Sequence, residues 1–552
     1  MVAATLLPLA CRETETAHLP STSAPTGTSS QSRRITFLHT NDEHSRLVPF
    51  ATNGEPEIGG VVARKAVIDS VRQNGGTAFL LNGGDYAQGL PVYEVWQGSA
   101  EIMTMNALSY DAITLGNHQF DLGTASLGRS LSGGTIQVSG QNRRVPAAAM
   151  PVVVSNMDFS KEPALRDVVH PRAIVEHEGV RIGVVGTMVD GLPSMVDLPA
   201  TVQMKPTVES VQEQIDALTR EGIDTIVLLS HRGTKADLKL VPKLAGVDVV
   251  VSGHDHAFLG DREQLTKAGL GAHAVAKVKQ PYPVVAKGKD ERTVLVVSAG
   301  EFGQIVGRLD VDFDAHGAVT SWQGEPLVVR CGAPHPCERD GVLARQVADT
   351  MRPVAALTER VLGKLPRAML PSADEESEIG MRMADAMLRA ARPFGATAAI
   401  AEGDFRAGLP AGVVTYGDVY AAWPFRSRIV VVELTGSALT EVLDRWLKSD
   451  DAPPQVAAMR IEYTRAARAP RASAKLGPVT LAGTPLVADK TYKIAFDDYV
   501  ALLAGDPAIV RACASAGCVD TQLLQREVLA DELMRPIAAL PPKPRLVRHE
   551  GR

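Results

Sequence analysis

Carboxylate, amide and imidazole side chains recur in five short motifs of this chain: Asp42-Glu43-His44, Gly84-Asp85, Gly116-Asn117-His118, His231, and Gly253-His254-Asp255-His256. Mixed oxygen and imidazole donors without a thiolate suit a pair of divalent cations, and paired cations are a device for hydrolysing phosphate esters. A lone Gly-Asp is ordinary turn chemistry, and a lone strand-end His is ordinarily a satisfied polar group. Here five of the chain's 13 His accompany Asp42, Asp85 and Asn117, so unrelated bland explanations would all have to hold together.

Each motif must be positioned by an element, and each follows an apolar, strand-like run. Residues 35–38 precede Asp42, 78–81 precede Gly83-Gly84-Asp85, and 112–115 lead into Gly116-Asn117-His118. Residues 225–230 run into His231, and 247–252 into Gly253-His254. Helix-like segments, such as 60–71 and 208–220, lie between them. The alternation predicts an α/β fold with its ligands gathered at the carboxyl ends of the strands.

At this point the sequence resembles a known family. The strings His39-Thr40-Asn41-Asp42-Glu43-His44, Asn82-Gly83-Gly84-Asp85, Leu115-Gly116-Asn117-His118-Gln119-Phe120-Asp121, Ser230-His231-Arg232 and Ser252-Gly253-His254-Asp255-His256 are similar, in order and spacing, to the calcineurin-like metallophosphoesterases. The likeness is to their 5'-nucleotidase branch and covers about residues 34 to 310. It implies a four-layer α/β sandwich holding two divalent ions (Mn, Zn, Fe or Co). One ion would take Asp42, His44 and His256, the other Asn117, His231 and His254, with Asp85 bridging both. A hydroxide held between the ions would attack phosphorus. His118, beside a ligand, would stabilise charge on the phosphoryl group or protonate the leaving oxygen, and Asp121 would orient and charge its imidazole.

At 552 residues, with 45% hydrophobic and 22% charged residues, the chain can build two or three domains. A net charge of -6 supplies no basic footprint for a nucleic acid polymer, and no apolar run reaches the length of a spanning helix. The expected division is a tether over 1–32, a metallophosphoesterase domain over 33–339, a linker helix over 340–364 and a substrate-specificity domain over 365–552. The strand Ile305–Phe313 closes the first domain. Apolar Val342, Leu343, Val347 and Met351 mark the linker helix, and Pro353 is its expected kink or stop.

Residues 2–10 are apolar, Cys11 follows, and 14–32 is rich in Ser, Thr and Pro. This is similar to the end of a bacterial lipoprotein signal with a lipid anchor at Cys11. The remaining four Cys form two close pairs, Cys331 with Cys337 and Cys513 with Cys518. These are expected as small-loop disulfides of an exported protein in the bacterial periplasm or on the envelope.

From about residue 359 the chain again mixes patterns, with a helix over 379–388 and strands over 428–434 and 492–496. Here it resembles the C-terminal domain of the 5'-nucleotidases through Gly380, Asp385-Ala386-Met387, Gly403, Arg406, Pro424-Phe425 and Gly505-Asp506. Arg406 would contact the substrate phosphate and Phe425 would stack on one face of a base. Ala508 stands near the second aromatic of the family's clamp, and Glu402 and Asp404 add charge around Arg406. The expected function is an exported phosphoesterase acting on small phosphate monoesters, above all nucleoside 5'-monophosphates. Cyclic nucleotides or sugar-nucleotide diphosphates, a thiosulfohydrolase activity of sulfur oxidation, and a non-catalytic surface binding protein are the alternatives.

Overall fold

The structure, a computed structural model, describes residues 33–51, 57–332, 334–338, 341–372, 374–449, 452–466, 470–503, 506–536 and 544–550. The expected tether with Cys11, and Gly505, lie outside these residues.

The apolar runs ahead of the motifs fold as the inner strands of two sheets. In the first, Arg33–Thr40, Ala78–Asn82, Ala112–Thr114, Val152–Val153 and Val169–His170 run parallel, and Ile305–Phe313 and Val319–Val328 extend the edge antiparallel. In the second, Val180–Met188, Ile226–His231, Val249–Ser252 and Thr293–Val297 are parallel, flanked by antiparallel Arg172–His177 and Val284–Lys287. Such runs read as continuously apolar because both faces are covered. Ile35, Phe37, Phe79 and Leu81 of the first sheet share one buried core with Val184, Val227, Val249 and Leu295 of the second. Helices Val61–Gln73 and Ser99–Leu108 cover the first sheet's outer face, and Thr207–Arg220 and Thr234–Leu240 cover the second's. The result is four layers, helix, sheet, sheet, helix.

The second half is built on a five-stranded sheet in the order Gln455–Ala457, Ala398–Ala401, Thr491–Asp497, Arg428–Thr435, Cys518–Leu524. Helix Glu378–Ala391 packs on one face and Gly436–Lys448 on the other. Cys331 is bonded to Cys337 and Cys513 to Cys518. Among the described residues no helix is long and apolar enough to cross a membrane.

The expected linker is a helix only in part. Val342–Thr358 is helical straight through Pro353, and Val361–Leu365 is a strand paired with Gly412–Thr415 of the second half. The helix packs against Pro91–Trp96 and Ser99–Leu108 on one side and against Tyr416–Ala422 on the other. The Trp96 indole N–H donates to the Thr350 carbonyl at 2.9 Å. A second tie is ionic: Arg526, 1% exposed, stacks 4.0 Å over Tyr420 and donates from Nη2 to both Glu94 carboxylate oxygens at 2.9 Å. Breaking a pair this desolvated leaves an uncompensated charge.

One buried acid lies apart from these. Asp248 precedes Val249–Ser252; its Oδ2 accepts from the Ile226 N–H at 2.9 Å and its Oδ1 has no partner. Burial pushes its carboxyl up to about 8, above the ordinary value of 3.8, with the Ile226 N–H and Arg292 opposing. The native state therefore holds a proton that the unfolded chain has released, so this group's contribution falls as pH rises from about 4 to about 8. Asp248→Asn is expected to raise the thermal midpoint at pH 8.5 by about 2 °C, with the gain shrinking towards pH 4. A gain that is flat with pH in a melting series would refute this.

Candidate metal centre and its cleft

Parallel register brings the motifs together before any side chain is considered. Thr40 lies beside Asn82, and Ser230 beside Ser252, so the loops that follow leave the sheets side by side. The 42–45 loop is laced to the next one: the N–H groups of Asp42, His44 and Ser45 donate to the carbonyls of Gly84, Asp85 and Tyr86 at 2.9, 3.0 and 3.1 Å. Two bonds then cross from sheet to sheet. The His254 N–H donates to the Asp42 carboxylate at 3.0 Å, and His231 Nδ1 donates to the Gly83 carbonyl at 2.8 Å.

These contacts hold six site residues in left-handed backbone: Asp42 (φ 52°), His44 (48°), Asp85 (48°), His254 (88°), His256 (53°) and Phe302 (62°). Non-glycine residues seldom adopt this region, and such strain concentrates at functional sites. Close approach also fixes Gly84, at φ 91°, where an added Cβ would come 2.6 Å from His231 Nδ1. At Gly116 it would collide with the Asp85 carboxylate.

Two groups of candidate ligands result, Asp42/His44/His256 and Asp85/His231/His254, each with its donor atoms within 4.8 Å of one another. Asn117 Oδ1 joins the second, 3.2 Å from His231 Nε2 and 3.0 Å from His254 Nδ1. Asp85 Oδ2 is 3.1 Å from His231 Nε2. In the first group the Nε2 atoms of His44 and His256 face each other at 3.0 Å, a space that takes one proton or one cation. Burial drives the His44 imidazole well below its ordinary value, although Asp85 opposes this, whereas at His256 the Glu301 hydrogen bond and Asp42 outweigh burial and raise it, so a proton between the two rings rests on His256. The far-side donors of two rings are engaged: His256 Nδ1 with Glu301 Oε2 at 2.6 Å, and His231 Nδ1 with Gly83. That directs their Nε2 atoms inward, the orientation ligation requires. The donor chemistry therefore fits divalent ions.

His118 belongs to neither group. Its Nδ1 is 2.9 Å from Asp121 Oδ2, its N–H donates to Asp85 Oδ1 at 3.1 Å, and its ring lies 5.5 Å from that of His44. Burial disfavours its charge, but Asp121 and Asp85 outweigh this and lift its imidazole to about 9. A cationic side chain thus faces the same space as the ligand groups.

All of this lies in a cleft of about 1700 Å³ between the two halves, lined by His44, Asp85, Asn117, His118, His254, His256 and, from the second half, Arg406. The Arg406 N–H is tied to the Ala422 carbonyl at 3.0 Å, and its exposed side chain projects into the cleft. Phe425 is not brought there. Half-buried against the core of the second half, it meets Trp423 edge-on at 5.1 Å and carries the Arg406 guanidinium 5.3 Å from its ring centre. The face expected for a base is thus occupied by Arg406. Glu402 and Asp404 are not among the residues lining the cleft.

Sequence reasoning missed Glu301, whose Oε2 orients His256 and whose Oε1 pairs with Lys277. The signal was a further strand end, Ser298-Ala299-Gly300-Glu301, after Thr293–Val297. It also assigned no role to Gln119, whose Oε1 accepts the N–H groups of Asp85 and Gly116 at 3.1 and 2.5 Å.

Comparison with known proteins agrees with this geometry. A family model described as calcineurin-like phosphoesterase matches residues 35–258, and one described as 5'-nucleotidase, C-terminal domain, matches 354–508. The trifunctional nucleotide phosphoesterase protein YfkN of Bacillus subtilis is 28% identical over 78% of this chain, which spans only 29% of that protein's length. A 5'-nucleotidase of Diplobatis ommata is 28% identical, over 85% of this chain and 82% of its own. The crystal structure of a 5'-nucleotidase precursor from Thermus thermophilus superposes with a TM-score of 0.76 at 29% identity, covering 93% of this chain and 99% of that one.

Two measurements test the centre. Metal analysis of the wild type is expected to find about two transition-metal ions per chain, and Asp85→Ala to lose most of them, since the resemblance has this carboxylate serve both groups; no more than one ion at saturation would contradict it. Glu301→Gln is expected to weaken metal affinity by about tenfold or more, because the residue fixes the tautomer of His256; unchanged affinity would make Glu301 a bystander.

Proposed function

We propose, starting from the fact that this chain belongs to the 5'-nucleotidase family of calcineurin-like phosphoesterases and is a hydrolase of that class, that it cleaves phosphate monoesters, nucleoside 5'-monophosphates foremost. The observation that carries the reading is the presence of Arg406 in one cleft with both ligand groups and His118. A guanidinium on one wall and a protonated imidazole beside the opposite wall complement a terminal phosphate dianion.

In this reading Asp42, His44 and His256 would hold one ion, Asn117, His231 and His254 the other, and Asp85 would serve both. Divalent ions held there would supply Lewis-acid charge and lower the pKa of water. The chain's own groups do the rest. Arg406 binds and orients the phosphoryl oxygens, with Phe425 fixing the plane of its guanidinium. His118, held protonated by Asp121, places its Nε2–H where it stabilises charge on the phosphoryl group or delivers a proton to the leaving oxygen. The two disulfides support an extracytoplasmic location, since such bonds persist outside reducing compartments.

His118→Asn is expected to keep its metal while kcat falls by roughly 10²-fold or more; loss of metal with activity would reassign the residue as a ligand. Arg406→Ala is expected to raise KM for phosphate monoesters. Phe425→Ala should do so to a smaller degree, and equally for a nucleotide and a simple aryl phosphate. A selective loss for nucleotides would instead restore a base-stacking role. A panel of phosphoesters, with Mn, Zn and Co returned to the stripped protein, tests the substrate class. Absence of hydrolysis of every nucleoside monophosphate would move the assignment to other phosphoesters.

A further inference from the structure

A guanidinium at the cleft has no ion pair among the described residues. Arg46, two residues beyond His44, is clamped between Phe50 and Phe302, with its Cζ 4.7 and 4.9 Å from the two ring centres. Phe302 in turn meets the His44 and His256 rings edge-on at 5.8 and 6.1 Å, so the clamp abuts the first ligand group. Arg46, Phe50 and Phe302 all line the cleft.

The Arg46 side chain makes no hydrogen bond or ion pair among the described residues, and its Nε is buried without a partner. The carboxylate of Glu301, which acts on Arg46 electrostatically, is spent on His256 and Lys277. Arg46 is half-buried, and a partly desolvated guanidinium is ordinarily paired, because removing a cation from water without compensation is costly. Stacking on two aromatic rings returns part of that cost, yet leaves the buried Nε without an acceptor. A second donor on the adjoining loop is in the same condition. Gln88, 6% exposed and lining the cleft, has its Nε2 buried without a partner, while its backbone N–H is anchored on Ser45 Oγ at 2.9 Å. Two unsatisfied donors thus stand on two interlocked loops beside the ligand groups, whereas Arg406 comes from the second half.

We propose that Arg46, assisted by Gln88, is a second anion site, which takes a further phosphate of a substrate whose first phosphoryl group sits at the metal groups. The ligand class that the site adds to the monoesters is therefore a diphosphate or longer phosphoanhydride, which engages a contact that they leave unused. The inference rests on the reading that the ligand groups receive a phosphoryl group, and it does not require that the leaving group be a nucleoside. The two rings hold the guanidinium plane fixed, so little order remains to be imposed when the anion arrives.

The test is calorimetric titration of the metal-loaded full-length protein with two probes, orthophosphate and methylenediphosphonate, which cannot be hydrolysed. The wild type is expected to bind the diphosphonate at least about tenfold more tightly than orthophosphate, as one charge-assisted contact allows. Arg46→Met should bring the ratio of the two Kd values close to one. Arg46→Lys, which keeps the charge but not the planar fork, should leave it between the two, and Gln88→Leu should reduce it about threefold. A wild type that does not prefer the diphosphonate, or a ratio unmoved by Arg46→Met, overturns the proposal. If Arg46→Met fails to fold, the same decision falls to Arg46→Lys and Gln88→Leu. Hydrolysis of adenosine 5'-monophosphate does not enter this ratio, so failure of the nucleotidase reading shows separately.

Discussion

The site depends on hydrogen bonds that pass between the sheets, among them those from the His254 N–H to the Asp42 carboxylate, from His231 Nδ1 to the Gly83 carbonyl and from the Ala299 N–H to Asn41 Oδ1. Each joins a loop leaving the first sheet to one leaving the second. Without them, strands of matched polarity would still deliver acids and imidazoles to one end of the sandwich, but as two separate rims. With them, Asp42 and His256 come from different sheets yet share one ligand group, as do Asp85 and His231. The burial of these groups then follows. Asp42, Asp85 and His231 are enclosed by neighbouring loops that the same bonds hold shut.

Around this tie the molecule stacks close-packed layers below and a joint to the second half at the side. The inter-sheet core is made largely of close-packed β-branched and aromatic side chains, which hold the strand ends in place. The second half meets the first through few but specific contacts, among them Arg526 with Glu94 and Trp96 with the helix Val342–Thr358. Arg406 reaches the cleft only because that joint holds.

Much of this was legible in the sequence, for definable reasons. Continuous apolar runs ending in acid or imidazole mark strands covered on both faces, and Val61–Gln73, Thr207–Arg220 and Ile305–Phe313 lie close to where periodicity sets them. The ligand types were readable because each sits next to a strand end. What sequence could not show is pairing at a distance. Glu301 is one acid among many until His256 is seen on it, and Phe425 reads as a free face until Arg406 is seen covering it. Pro353 reads as a stop, but packing of Val342–Thr358 against both halves outweighs the lost backbone hydrogen bond. Left-handed backbone at these six site positions had only a weak signal, since Asp and His adopt it more readily than other residues but do so at few of their positions.

That backbone narrows how such a centre can drift over evolutionary time. At Asp42, His44, Asp85 and His256 the chain excludes β-branched replacements on steric grounds, and glycine, which relaxes the backbone, removes the donor. Asparagine tolerates the left-handed region and still offers an oxygen. A lineage that abandons turnover is therefore channelled through asparagine-like intermediates that keep the loop shape, so the architecture outlasts the chemistry it was assembled to perform.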